Sequence, residues 1–266
     1  MLTNPAFNAL AANYDTDFTN SIIGILQRNK VWQFLAENLP KNKSLNILEI
    51  NCGTGEDALW FANNGHQIIA TDLSDEMIAM ANKKKENCTN AANISFEVCA
   101  FENLINKFQN QQFDLIFSNF AGLNCVDENA LIELNKDFEK LLKPHGKMII
   151  VLLGKKCFLE RLYFLIKLDF KNVNRRKNKT LAYLSNQNYQ ETWYYNYQEI
   201  VSIFSYFKLE NTRPIGLLIP PSYLENKAKK AKFIIKIMNY LDTIFSKMSW
   251  LTNYGDHIIL QLEKTK

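Results

Sequence analysis

Glu49, Gly53, Gly55 and Asp72 have the types and spacing that ligand chemistry requires. An apolar run from Leu45 carries an acid at Glu49. It then passes through Asn51-Cys52-Gly53-Thr54-Gly55 into a helix-forming stretch from Glu56. Glycines have no Cβ and accept positive φ, so a ligand can lie directly on such a turn. The helix behind it offers free N–H groups and a positive dipole end to an anionic group. A second apolar run, Gln67 to Thr71, ends in Asp72, seventeen residues after Gly55. That interval suits a nucleotide-binding α/β unit, whose second strand presents a carboxylate to a ribose diol. A purely structural glycine turn does not account for Glu49 and Asp72 together.

Two layouts share this arrangement. The dinucleotide pattern G-x-G-x-x-A is met by Gly53, Gly55 and Ala58, but Glu49 interrupts a strand end that a dehydrogenase keeps apolar. The stretch resembles motif I of the class I S-adenosylmethionine-dependent methyltransferases, an acid followed by x-G-x-G-x-G. Glu49, Gly53 and Gly55 match, and Asn51 stands at the first glycine. Asn is the non-glycine residue best suited to left-handed backbone, so the departure is mild.

The resemblance extends from about Phe7 to Leu153 and implies S-adenosyl-L-methionine as cofactor. It assigns cofactor contacts to Tyr14, Arg28, Glu49, Asn51, Cys52, Gly53, Gly55, Asp72, Leu73, Ala100, Phe101 and Asn119. Val98 to Leu104 looks like the third-strand motif G-D-A-E-x-L. Ala100 occupies the acidic position, which leaves adenine to the Phe101 backbone and apolar contacts, with Glu102 as a substitute acceptor. Phe113 to Asn124 resembles motif IV of the small-molecule enzymes, with Asn119 placed to orient the cofactor or substrate. It lacks the Pro-Pro-Tyr type of run found in amino-directed nucleic-acid and protein enzymes. Similar enzymes often begin with a Tyr-Asp pair and a helix that closes over the cofactor. Carried over, Tyr14 covers the sulfonium and Arg28 pairs the methionine carboxylate. No residue's context identifies a general base, and no metal ligand set is visible: His66, His145 and His257 read as structural or solvated.

Positioning these residues requires alternating strands and helices. A helical prelude, Pro5 to Leu39, precedes strands at Leu45–Ile50, Gln67–Thr71, Ile94–Cys99, Phe113–Ser118 and Lys147–Leu153. Helices fall at Glu56–Asn63, from Ser74 as N-cap, and at Glu128–Leu142. This predicts a Rossmann-like, doubly wound α/β sheet of seven strands, the last antiparallel. The chain divides into a helical cap (1–44), a cofactor-binding half (45–154) and a substrate-side half (155–266). The latter holds an apolar helix from Phe158, a solvated basic loop at Arg175-Arg176-Lys177, aromatic strands around Tyr189 to Tyr195, and strands at Phe207–Leu217 and His257–Leu262. Between those last two strands, one long amphipathic helix, Tyr223 to Met248, forms an insertion at about 220–250. Two readings stand for it, a helix packed on the sheet or, with Trp193, Tyr194 and Tyr14, an aromatic lid suited to a planar or lipophilic substrate.

Composition bounds the alternatives. With 266 residues, 47% of them hydrophobic, the chain can bury one substantial core. A net charge of +4 is too mild to indicate nucleic acid. The five scattered cysteines form neither a disulfide framework nor a zinc site, which suits a reducing compartment. Met1 to Pro5 opens with no secretory pattern, and no apolar run can span a bilayer. The expectation is therefore a cytoplasmic methyltransferase acting on an O, N or C atom of a small molecule. RNA or protein methylation, a non-catalytic cofactor-binding role and NAD-dependent oxidoreduction are the alternatives. Peripheral contact of the basic insertion with an anionic membrane is the less favoured reading of that segment.

Overall fold

Each apolar run expected as a strand before Leu153 is one in the computed structural model, which describes residues 5–177, 179–185 and 188–265. Met1 to Asn4, which include most of the segment read for a leader, lie outside those residues. The strands are β1 (Asn46–Ile50), β2 (Gln67–Asp72), β3 (Ile94–Val98), β4 (Phe113–Ser118), β5 (Leu142–Leu153), β6 (Thr180–Ser185), β7 (Asn188–Thr192), β8 (Phe207–Ile215) and β9 (His257–Lys264). The helices are α1 (Pro5–Tyr14), α2 (Ile22–Asn38), α3 (Glu56–Asn63), α4 (Asp75–Lys85), α5 (Leu104–Phe108), α6 (Glu128–Leu141), α7 (Phe158–Ile166), α8 (Tyr197–Ile203), α9 (Glu225–Lys230) and α10 (Lys232–Phe245). A π-helical turn, Asp15–Thr19, leads from α1 toward α2.

Seven strands form one sheet in the order β3-β2-β1-β4-β5-β9-β8. The first five are parallel, and β9 runs antiparallel between β5 and β8. Strand alternation sends Leu48, Ile116 and Ile150 into one core with Phe138 and Phe204, and Ile47, Phe117 and Ile149 into the other with Val31 and Phe61. A sheet covered on both faces needs such continuous apolar runs. Local signals set the helix ends. Ser74 accepts from Met77 N at the start of α4, and Asn196 forms a capping box with Glu199 at the start of α8.

Three expectations need correcting. Arg175-Arg176-Lys177 is not a solvated loop, because Arg176 is buried and bonds Glu160 and Asp256. The strand β6, which pairs with β7 as a separate hairpin, was not anticipated. Tyr223 to Met248 is not one helix: the chain breaks at Ala231 (φ −115°, ψ 39°) into α9 and α10. These two pack on α2 through Ile23, Ile219, Ala228 and Ile235. No helix among the described residues is long and apolar enough to cross a membrane.

Candidate functional site

The carboxyl ends of β1, β2, β3 and β4 meet where the strand order reverses between β1 and β4, the switch point at which open α/β sheets bind ligands. Backbone there is unusual. Asn51 (φ 51°), Gly53 (φ 54°) and Gly55 (φ 80°) are left-handed in the β1–α3 turn, as are Phe120 (φ 47°) and Ala121 (φ 68°) after β4. Non-glycine residues held this way cost about 1–3 kcal/mol each and cluster at functional sites. Asn51 uses its side chain as a cross-link: its Oδ1 accepts from Ser118 Oγ at 2.6 Å and its Nδ2 donates to Asn119 O at 2.7 Å. Gly122 lies against that amide, since a Cβ there would stand 2.1 Å from Asn51 Cγ.

Charge is concentrated beneath this turn. Arg28 of α2 is buried with its Nη1 3.5 Å from Asp57 Oδ2 and its guanidinium 5.1 Å from the centre of the Phe120 ring. Asp57, in the first turn of α3, also accepts from Trp32 Nε1 at 2.7 Å and Asn119 Nδ2 at 2.9 Å. Glu49 is 1% exposed, and burial, reinforced by Asp57, holds its carboxyl well above the ordinary range while Arg28 opposes. Arg28 Nε and Glu49 Oε2 have no hydrogen-bond partner among the described residues. Asp72 accepts from Gly53 N at 2.8 Å and Ser74 N at 2.9 Å, one bond per oxygen. Burial raises its pKa, and hydrogen bonds from the backbone of Ser74, Gly53 and Leu73 oppose the rise. A carboxylate has about four acceptor positions, so capacity is left for hydroxyl donors.

The prelude covers the turn. The Tyr14 ring lies over Gly53, 3.8 Å from where a Cβ would stand, and burial pushes its hydroxyl up to about 12. Asp15 accepts from Thr54 Oγ1 at 2.7 Å and Lys84 Nζ at 2.8 Å, and Asn8 reaches Ser74 and Asp75 of α4. Tyr14, Phe18, Phe120 and His257 follow one another ring to ring at 5.6, 5.1 and 5.4 Å. The β6–β7 hairpin packs on α1.

A cavity of about 30 Å³ brings together Tyr14, Arg28, Asn51, Cys52, Gly53 and Asn119 of the expected residues. Gly55 instead sits behind it, where a Cβ would stand 2.6 Å from the Phe96 ring. Asp72 ends β2 with Leu73 just beyond it, and Cys99 N bonds Asp72 O, so Ala100 and Phe101 begin the next turn beside them. Of the histidines, His66 accepts from Leu45 N, His145 is exposed beside Glu263, and His257 is buried beside Asp256. Sequence reasoning missed Thr54, Asp57 and Phe120, which also line the cavity. The available signal for Asp57 was an acidic pair, Glu56-Asp57, directly after the glycine turn and before Ala58-Leu59-Trp60-Phe61.

A family profile described as a methyltransferase domain matches residues 47–146. The ubiquinone/menaquinone biosynthesis C-methyltransferase UbiE of Rickettsia prowazekii is 30% identical over 162 residues, 58% of this chain and 61% of that protein. A demethylmenaquinone methyltransferase of Chlorobaculum parvum is 29% identical over 175 residues, 63% of this chain and 66% of that protein. The chain thus spans less than two thirds of the length of these relatives. Among solved structures, the CcbJ methyltransferase of Streptomyces caelestis aligns with a TM-score of 0.65 at 12% identity, covering 98% of each chain. The magnesium protoporphyrin IX methyltransferase of Synechocystis, with bound SAH, aligns at 0.59 and 13% identity, covering 99% of this chain and 96% of that one. At such identities the likeness is one of fold.

Proposed function

We propose that this chain, a class I S-adenosylmethionine-dependent methyltransferase by its matched domain and fold, transfers a methyl group to a small planar or lipophilic molecule. One observation carries the reading. A buried guanidinium and a buried carboxyl, Arg28 and Glu49, each keep a polar atom with no partner among the described residues, beside a glycine turn. An unmatched buried polar atom is costly, and a ligand bearing both an anionic and a cationic group relieves both. The α-amino acid end of S-adenosylmethionine is such a ligand.

In kind and charge, the groups present therefore match the polar groups of the cofactor. Arg28 would hold the carboxylate, Glu49 would balance the ammonium, and Asp72 would accept from the ribose diol. The Phe101 backbone and apolar neighbours hold adenine, since Ala100 brings no carboxylate. Cys52, Gly53 and Leu73 present backbone, Gly55 shapes the turn, and Asn51 and Asn119 fix the β4 end. Tyr14 offers a π face where a cation is expected. When bound, S-adenosylmethionine supplies an electrophilic methyl on a sulfonium that leaves as a neutral thioether. The protein's contribution is alignment and exclusion of water. Tyr14, Phe18 and Phe120 form an aromatic wall that suits a flat or lipophilic acceptor, which agrees with the quinone-directed names of the relatives.

In this reading the cover over the strand ends is α1 with the β6–β7 hairpin. The 220–250 segment braces α2, and so Arg28, from behind: Glu225 accepts from Ile22 N and Ile23 N. Free cysteines favour a reducing, cytoplasmic setting. The test is calorimetry with S-adenosylhomocysteine, followed by transfer of labelled methyl to a panel of lipophilic quinols, phenols and polar controls. Binding of NADH but not of S-adenosylhomocysteine would refute the cofactor, and labelling of polar controls alone would refute the acceptor class.

A further inference from the structure

The apolar stripe of α10 faces solvent. Asp242 is fully buried and Ile235 and Ser246 nearly so, whereas Phe233 is 75%, Ile237 45%, Tyr240 68% and Ile244 47% exposed. Spacings of four, three and four residues put those four side chains in one line along the helix. The inward edge is largely polar. Lys30 of α2 lies 3.8 Å from Asp242 and bonds Thr243, and Asp242 accepts from Leu218 N at 2.7 Å. Trp250, 73% exposed, lies beyond the end of the apolar line. Lys227 of α9 lies 4.2 Å from the centre of the Tyr163 ring of α7, a helix whose Leu162, Leu165 and Ile166 are exposed as well. Contiguous exposed apolar surface on this scale marks an interaction site.

The charges of the same segment are sorted. Tyr223 to Trp250 contains two acids, and both turn inward: Glu225 binds the start of α2 and Asp242 is buried. Its lysines, Lys227, Lys229, Lys230, Lys232, Lys236 and Lys247, lie at the surface. We propose that this face docks on an anionic lipid bilayer, with α10 in the plane of the interface. Its Phe, Ile, Tyr and Trp side chains enter the headgroup boundary while the lysines meet lipid phosphates. A two-fold contact between copies would instead set one lysine cluster against another of the same sign. The proposal does not depend on methyl transfer, although a lipophilic acceptor is stored in the same phase.

The test is co-sedimentation of the full chain with vesicles of phosphatidylcholine, alone or mixed with phosphatidylglycerol. Partitioning should be at least ~10-fold stronger on the mixed vesicles and should weaken with salt. The pair Ile237→Glu and Tyr240→Glu, at exposed positions, should reduce it ~10-fold while circular dichroism and S-adenosylhomocysteine affinity stay unchanged. The pair Lys232→Glu and Lys236→Glu should abolish the preference for anionic lipid. No binding to either vesicle, equal binding to both, or unchanged binding of the first pair would overturn the proposal. So would a dimer lost in that pair, with no vesicle binding by the parent protein.

Discussion

Replacing Asn51 by glycine restores the residue that motif I carries, yet it should destabilise the protein. Asn51 holds two hydrogen bonds, from Ser118 Oγ at 2.6 Å and to Asn119 O at 2.7 Å. Each such bond contributes about 1 kcal/mol net. Ser118 is fully buried, so its hydroxyl then has no ready replacement, which costs about 1 kcal/mol more. Against this, glycine relieves the left-handed backbone at φ 51°, a gain of about 1 kcal/mol for a residue as tolerant as Asn. The balance is a loss of about 2 kcal/mol, or roughly 4–8 °C in Tm for a chain of this size. Because Asn119 also orients Asp57, S-adenosylhomocysteine affinity should fall as well. Thermal unfolding and calorimetry on Asn51→Gly, Ser118→Ala and the double variant measure both effects, with a coupling of about 1 kcal/mol between the two sites. A glycine variant as stable as the parent, or more stable, would show that the cross-link contributes nothing.

Three further outcomes are expected. Asp72→Ala should weaken S-adenosylhomocysteine binding by ~1–3 kcal/mol, the range for hydrogen bonds to a charged group, and unchanged calorimetric affinity would remove Asp72 from the site. Glu49, raised well above the carboxylate range by burial, stabilises the fold fully below its unfolded value of about 4.3, a contribution lost as pH climbs through the folded value. An ammonium beside it favours the ionised form, so S-adenosylmethionine binding should release a proton and tighten as pH rises. Calorimetry in buffers of differing ionisation enthalpy reads this, and proton uptake would contradict it. Arg176→Ala strips a cation from Glu160 and Asp256, both buried, and should cost about 3–5 kcal/mol. A Tm loss below about 2 °C would mean that the network relaxes without it.

How much was legible divides along the range of the interactions. From Leu45 to Leu153, strands, helices and caps are set by neighbouring residues. Apolar runs must be buried, Ser74 must cap the helix that starts at Asp75, and Pro144-His145-Gly146 cannot continue a helix. The glycine turn and Asp72 likewise lie within one βαβ unit, whose right-handed crossover leaves little freedom in where they meet. Even the left-handed Asn51 was readable from residue type. Elsewhere, partners distant in sequence decided. Arg176 looks like part of a solvated basic run until Asp256, eighty residues away, and Glu160 are brought around it. Asp57 has no visible task until Trp32, Arg28 and Asn119 converge on it. The period of Lys232 to Phe245 shows that the helix has an apolar face but carries no information on which side the body lies. The tertiary structure turned Asp242 and Ile235 of α10 inward, Asp242 onto Lys30 and Leu218 N, and left the line of Phe233, Ile237, Tyr240 and Ile244 outside. Periodicity is a property of one element, whereas burial is a property of the elements packed against it.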